Sequence, residues 1–323
     1  MVFVLKLPGQ KKKQSLKEQI NQLDPIGTFF FLPGLISLLL ALQWGGSTYP
    51  WNSGRIIALL VIFGVCACIF IAIQAWRKDM ATVPPHILMN RSIAAAFGFS
   101  FCIGGSMYLL IYYLAIWFQA IKDASPVHSG IMNLPFLLSL VVASISAGIF
   151  VKKVGYYAPL IIASAIIMPI GVGLLTTFTP ETGHAKWIGY QVVYGLGLGT
   201  GLQQANMAAQ TILDKKDVST GVSLNFFAQL VGGAVFISVG QSVLVNQLIS
   251  GLSDIPGFDP AIVVNTGATE IKSVVGAQHL ELVKVAYNHA LTKVFEVALV
   301  LSCLTIISAL TIEWKSIKED KDR

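Results

Sequence analysis

Tyr194-Gly-Leu-Gly-Leu-Gly-Thr-Gly-Leu-Gln-Gln-Ala-Asn-Met-Ala-Ala-Gln210 is the stretch whose reading decides the fold. Glycines at 195, 197, 199 and 201 are wrong for a soluble helix, where each costs about 1 kcal/mol against alanine. A dinucleotide loop is excluded, because Thr200 and Leu202 stand where G-x-G-x-x-G needs its third glycine. A P-loop is excluded too, since no Lys-Ser or Lys-Thr follows. Gly195/Gly199 and Gly197/Gly201 are both G-x-x-x-G pairs, which in lipid let a second helix backbone approach closely. Gln203, Asn206 and Gln210 follow at i, i+3, i+7 and share one side of a continuing helix. The stretch reads as a membrane helix, smooth in one half and bearing amides in the other.

The composition supplies the membrane. Hydrophobic residues make up 54% of the 323-residue chain and charged residues 12%, with a mean hydropathy of +0.71. A soluble domain carries about 25% charged residues. The net charge of +6 does not indicate nucleic acid, because the charges sit in short clusters between apolar runs. Cys66, Cys68, Cys102 and Cys303 lie inside apolar runs and read as small hydrophobic residues. No cleavable signal is evident at Met1–Leu7.

A span needs about 20 mostly apolar residues. Eight runs qualify, at 25–43, 54–74, 93–117, 129–150, 158–178, 187–209, 220–246 and 290–312. The fold class is therefore all-α, a polytopic membrane helix bundle with eight spans. Its expected parts are a cytoplasmic basic segment 1–23, two spans in 24–75 and six in 76–312, which a family resemblance implies are two linking helices and a six-helix bundle, and a cytoplasmic tail 313–323. Alternating the loops from an inside N-terminus places 16 of the 22 Lys and Arg residues inside, which the positive-inside rule favours with both termini cytoplasmic. Asp24-Pro25 reads as an N-cap followed by proline at N1. Trp44, Tyr49, Trp51, Trp117 and Trp187 are expected at outer membrane borders, Trp76 and Trp314 at inner ones. The sequon Asn90-Arg91-Ser92 falls on an inside segment. The one long loop, 247–289, carries Asp254, Pro256, Gly257, Asp259, Pro260, Glu270 and Glu281. It is expected outside, with a short amphipathic piece around Ile271–Tyr287.

No catalytic constellation is visible. The five histidines sit in loops or at span edges without a metal-ligand spacing, and no G-x-S-x-G is present, so no enzyme, metal or cofactor is expected. What remains is polar side chains inside spans. Gln203, Gln204, Asn206 and Gln210, with Asn225 and Gln229 on the next span, either tie two helices together or line a substrate cavity. Gly232-Gly233 follows as a further packing pair. Tyr108 and Tyr112 share a face of the third span, where core packing and a cavity role both fit. Asn133 stands before Pro135, where it would satisfy backbone groups freed by the proline. Glu296 is either a proton relay or a snorkelling glutamate paired with Lys293.

Several segments resemble a known family. Asp24-x-x-Gly27 and Leu40-Ala-Leu-Gln43-Trp44-Gly45-Gly46 with Tyr49-Pro50-Trp51 are similar to the seventh span and outer loop of fungal toxin-efflux pumps, 14-span drug:proton antiporters of the major facilitator superfamily. The glycine helix resembles that family's twelfth span. Asp217-Val-Ser-Thr-Gly221 with Phe226-Phe227-x-Gln229-Leu230-x-Gly232-Gly233 resembles the start of the thirteenth. Gly148-Ile-Phe-Val-Lys152-Lys153-Val-Gly155-Tyr156-Tyr157 resembles the second copy of the superfamily's cytoplasmic loop motif, with lysine in place of its aspartate and tyrosines in place of later basic residues.

The resemblance covers residues 20 to 312 and implies spans seven to fourteen of such a pump, with Met1–Pro8 as the tail of a sixth span. It implies proton-driven export of a hydrophobic toxin, drug or secondary metabolite by alternating access. The partners it implies are the lipid bilayer, a small hydrophobic substrate, protons and a missing N-terminal six-helix bundle that holds the proton-coupling residues. Plasma membrane is the implied location, with the vacuolar membrane as the alternative. Two other readings stay open: a truncated, transport-incompetent fragment and a non-transporting membrane partner protein. The candidate cavity residues are Tyr112, Asn133, Gln203, Asn206, Asn225 and Gln229. The candidate packing residues are Gly195, Gly197, Gly199, Gly201, Gly232 and Gly233.

Overall fold

The computed structural model describes residues 24–77, 81–253, 260–264 and 266–318. The expected basic segment 1–23, the reading of Met1–Pro8, and Lys78, Asp254, Pro256, Gly257, Asp259, Lys321 and Arg323 lie outside the described residues.

Every regular element among the described residues is a helix. Helix α1 (Pro25–Trp44) begins where Asp24, in the left-handed region at φ 45°, accepts a hydrogen bond from the Gly27 amide, with Pro25 supplying the preset φ of a first turn. It packs against α2 (Gly54–Arg77). The only described residues that α2 buries are Ile56 and Gln74, as expected of an apolar helix whose remaining surface meets lipid. After the short α3 (Pro85–Leu88), the Asn90 side chain accepts hydrogen bonds from Ser92 and Ile93 to start α4 (Arg91–Lys122). Helices α5 (Pro126–Met132) and α6 (Leu134–Val154) come from one expected span, interrupted at Asn133 beside a proline that lacks an amide donor. Next come α7 (Ala158–Leu175), α8 (His184–Gly201), α9 (Gln204–Ile212), α10 (Val218–Ser253), α11 (Pro260–Val264), α12 (Ile271–Val274) and α13 (Ala277–Thr311).

Seven helical stretches are long and apolar enough to cross a membrane: α1, α2, α4, α5 with α6, α7, α10 and most of α13. The sixth expected run, 187–209, differs from the sequence reading. It is not one helix but two, α8 and α9, interrupted at Leu202–Gln203. The interruption sacrifices little hydrogen bonding, because the Leu202 amide still donates to Leu198 O and the Met207 amide to Gln203 O. Glycines and polar side chains lower the apolar character of α8, and neighbouring helices cover its backbone instead.

Two other expectations are corrected. The loop 247–289 is shorter, since α10 runs to Ser253 and α13 begins at Ala277. The expected amphipathic piece resolves into α12 and the first turns of α13. Trp117 and Trp187 are not border residues, being 0% and 6% exposed. The Trp117 indole donates to Asn288 Oδ1 at 2.8 Å and the Trp187 ring packs edge-on against Phe118, so both belong to the core. Trp76 and Trp314 are exposed.

Helix α8 lies between α6 and α7, while α4 packs against α10 and α13. Contact between α13 and α7 joins the two groups, and α1 leans the linking hairpin on α10. The segment after α6 clasps the chain's last described residues: the Tyr157 hydroxyl donates to Glu313 O at 2.9 Å and the Ile317 amide to Gly155 O at 2.8 Å. Gly155 holds this turn at φ 91°, which a side chain would oppose.

Candidate functional site: a polar seam along the glycine helix

The glycines of α8 act in two directions. Residues four apart share a helix face, and a two-residue offset turns that face by about 200°. A Cβ placed on Gly199 would stand 2.3 Å from Leu140 O and 2.8 Å from Ala143 Cβ; one on Gly195 would stand 2.5 Å from Phe136 O. Both partners lie on α6. A Cβ on Gly197 would stand 2.4 Å from the Met168 amide, and one on Gly201 would stand 2.2 Å from Ser164 Oγ, both on α7. The two G-x-x-x-G pairs therefore dock two different helices on opposite faces. Ser144 Oγ donates to Gly199 O at 3.1 Å across the first contact.

The same device holds α10 on α4. A Cβ on Gly232 would come within 2.2 Å of Phe101 O, and one on Gly233 would meet the Tyr108 ring at 2.3 Å. In return, a Cβ on Gly104 would meet Gln229 O at 2.2 Å. Gly104 is a packing residue beyond those expected from the sequence, and like Gly232-Gly233 it stands beside a second glycine.

These close contacts align buried polar groups into a seam. Near the start of α8, Gln191 is fully buried and donates to Met132 O at 3.1 Å, while its own oxygen has no partner among the described residues. Asn133 sits next to that carbonyl, its amide oxygen is likewise unpartnered among the described residues, and its side chain makes no capping bond to the start of α6. One turn on, the Tyr194 hydroxyl and Ser106 Oγ share a hydrogen bond at 3.1 Å, joining α8 to α4. Ser164 Oγ, against Gly201, is buried without a partner among the described residues.

The seam ends in the amide cluster. Asn225 on α10 donates to Ala205 O at 2.9 Å and, at 3.4 Å, to Asn206 Oδ1; Asn206 donates to Gln203 Oε1 at 3.3 Å. Asn206 and Asn225 are buried and Gln203 is exposed. The break at 202–203 turns Gln204 inward, where its oxygen is unpartnered among the described residues, as is that of Asn225. Gln210 faces outward. Of the six expected cavity residues, the structure thus joins Gln203, Asn206 and Asn225. Asn133 lies farther along the seam, and Gln229 contributes its backbone to the Gly104 contact. Tyr112 stands apart, lining a cavity that includes none of these amides.

Glu296 is outside the seam. Its exposed carboxylate pairs with Lys293 at 2.8 Å. Among the described residues no group of three or more His, Cys, Asp or Glu side chains is placed to hold a metal ion, and all four cysteines are free.

One polar site exceeds its expected role. Asp24 is more than a helix cap: it is fully buried and also accepts from Gln74 Nε2 at 2.7 Å, Arg77 at 3.1 Å and the Thr82 amide and hydroxyl at 3.2 and 3.1 Å. The Gln74 oxygen accepts the Val83 amide at 2.8 Å. Burial pushes the carboxyl up, but the donors from Gln74, Gly27 and Thr82 outweigh it and hold Asp24 below its ordinary value of 3.8. The cluster locks both ends of the α1–α2 hairpin to the stretch of chain leading into α3.

Comparison with known proteins fits this architecture. Residues 4–123 match the family model described as fungal trichothecene efflux pump (TRI12). The chain is 52% identical over 324 residues to the MFS-type efflux pump MFS1 of Arthroderma benhamiae, an alignment covering 99% of this chain and 60% of that protein. The chain is similar to fungal MFS-type efflux pumps over nearly its whole length. It is 44% identical to the efflux pump aflT of Aspergillus parasiticus, over 99% of this chain and 63% of the relative. It is 45% identical to the rubrofusarin-specific efflux pump aurT of Gibberella zeae, over 94% of this chain and 56% of the relative. The chain therefore spans about three-fifths of the length of these curated relatives. With its apolar helices, this relationship makes it an integral membrane protein.

Proposed function

We propose that this chain is the C-terminal portion of a major facilitator exporter, which expels a small hydrophobic toxin, drug or secondary metabolite in exchange for protons. The observation that carries the reading is the amide cluster of Gln203, Asn206 and Asn225, set just beyond helix α8, which packs backbone-to-backbone on two sides, in a chain 52% identical to an efflux pump. In lipid, polar groups inside helices are costly and mark substrate or ion paths. Unpartnered oxygens on Gln204 and Asn225 leave acceptors for a donor that the described residues do not supply.

The working cycle is alternating access, with this six-helix bundle rocking against a second one around the seam. Rigid glycine contacts suit such a motion, because they move α6, α7 and α8 as one body. The proton-coupling groups belong to the other bundle: Glu296, the carboxylate deepest in a span here, is exposed and neutralised by Lys293. Both termini face the cytoplasm, and the plasma membrane is the proposed site of action. No chemistry on the substrate is proposed, and the chain acts as a carrier rather than an enzyme.

A transport-incompetent fragment is the second reading, favoured by the 60% coverage of the relative's length. Expression in a pump-deficient yeast decides between them. The export reading predicts efflux of a hydrophobic dye when this chain is co-expressed with a six-span N-terminal bundle from a relative. No efflux in that pairing, with both pieces present in the membrane, contradicts it.

A further inference from the structure

A cavity of about 340 Å³ opens between α4, α10 and α13 at the end of the bundle that carries Val263, Val264 and Thr266, and it includes no residue of the amide cluster. Its volume falls in the range of small-molecule sites, about 300–1,000 Å³. Its walls are of two kinds. Tyr112, Gln119, Gln241 and Tyr287 supply two phenols and two primary amides, while Leu244 and Leu248 supply an apolar side. No charged side chain among the described residues lines it.

The polar groups are not consumed by the protein. The Tyr112 and Tyr287 hydroxyls and the Gln241 amide make no hydrogen bond among the described residues, and Gln119 uses only its nitrogen, donating to Ser129 Oγ at 3.0 Å. Tyr112 is 49% exposed and Tyr287 6%, and both line the cavity. Polar groups that open on a cavity without a protein partner are met there by water or by a ligand.

The geometry points to a second binding site here, for an uncharged small molecule with an apolar body and hydroxyl or carbonyl groups. An anion or cation finds no counter-charge in the lining and loses its hydration on entry. A pure hydrocarbon gains nothing over lipid and leaves the phenols and amides unmet. A molecule that is flat and apolar on one side and hydrogen-bonding on the other satisfies both walls. The site stands apart from the export reading, since it concerns binding and needs neither a proton gradient nor a second bundle.

The test uses the purified full chain in detergent and three probes with one ring system: naphthalene, 1-naphthol and naphthalene-1-sulfonate. Binding is read by saturation-transfer NMR with empty micelles subtracted. Saturable binding of 1-naphthol alone is expected. Tyr287→Phe and Gln241→Leu should each weaken it about three- to tenfold, the loss of one neutral hydrogen bond. Tyr156→Phe, at the other end of the bundle, should bind like the parent, and thermal unfolding midpoints should show all variants folded. The proposal is overturned if no saturable 1-naphthol binding is found, if the sulfonate binds equally well, or if folded Tyr287→Phe and Gln241→Leu both bind as the parent does.

Discussion

Replacing single glycines of α8 separates two effects that a helix glycine has. At Gly199, an alanine Cβ would stand 2.3 Å from Leu140 O and 2.8 Å from Ala143 Cβ. The first obstacle is backbone, so α6 must move away along the contact. Overpacking of this kind costs about 1–3 kcal/mol, against about 1 kcal/mol regained in helix propensity. The net expectation is a loss of up to about 2 kcal/mol for Gly199→Ala and more for Gly199→Leu. Gly189, ten residues earlier in the same helix, has no described atom within 4 Å of the position that an alanine methyl would take. Gly189→Ala therefore keeps the propensity gain of about 1 kcal/mol and should stabilise. The assay is the heat-resistant folded fraction of detergent-purified protein, read by size-exclusion chromatography. Opposite signs at 189 and 199 are expected. Equal shifts at the two positions, or a Gly199→Leu variant as heat-resistant as the parent, would refute the close-packing reasoning.

Three further outcomes follow from the polar contacts. Asn225→Ala removes the donor to Ala205 O and should cost about 1–3 kcal/mol in the same assay, with a fall in dye efflux in the two-bundle cell assay. Asp24→Asn should loosen the hairpin. Because the folded Asp24 carboxyl titrates below 3.8, its contribution is fully present above that value and is lost as pH falls through the lower folded value; the variant's stability should lack this acid-side decline. Glu296→Gln should leave heat resistance within about 0.5 kcal/mol of the parent, since its ion pair is exposed, and should leave efflux intact in the two-bundle assay.

The membrane architecture is legible in the sequence because hydrocarbon demands long apolar runs, and these are visible without any tertiary knowledge. Capping by Asp24 and Asn90 is local and therefore readable, at least in part. What cannot be read depends on neighbours distant in sequence. Nothing in the sequence marks the break at 202–203, and Gln204 is buried where the chain resumes as α9. Trp117 leaves the expected border for the core because Asn288, 171 residues away, receives its indole. Asp24 gathers Gln74, Arg77 and Thr82 from 50 or more residues away, which no spacing rule anticipates. The two G-x-x-x-G pairs are evident as a pattern. That they serve two different partner helices follows from their opposite faces once α6 and α7 are known to flank α8.

The central claim is that the amides beyond the glycine helix line a wet path and do not merely tie two helices together. Its most direct test is cysteine accessibility in a version of the chain whose four native cysteines are serine, paired with an N-terminal bundle in liposomes. Gln203→Cys and Asn206→Cys should react with a charged, water-soluble thiol reagent, and a transported dye should slow that reaction. Failure of both positions to react, while a membrane-permeant thiol reagent labels them, would contradict the account.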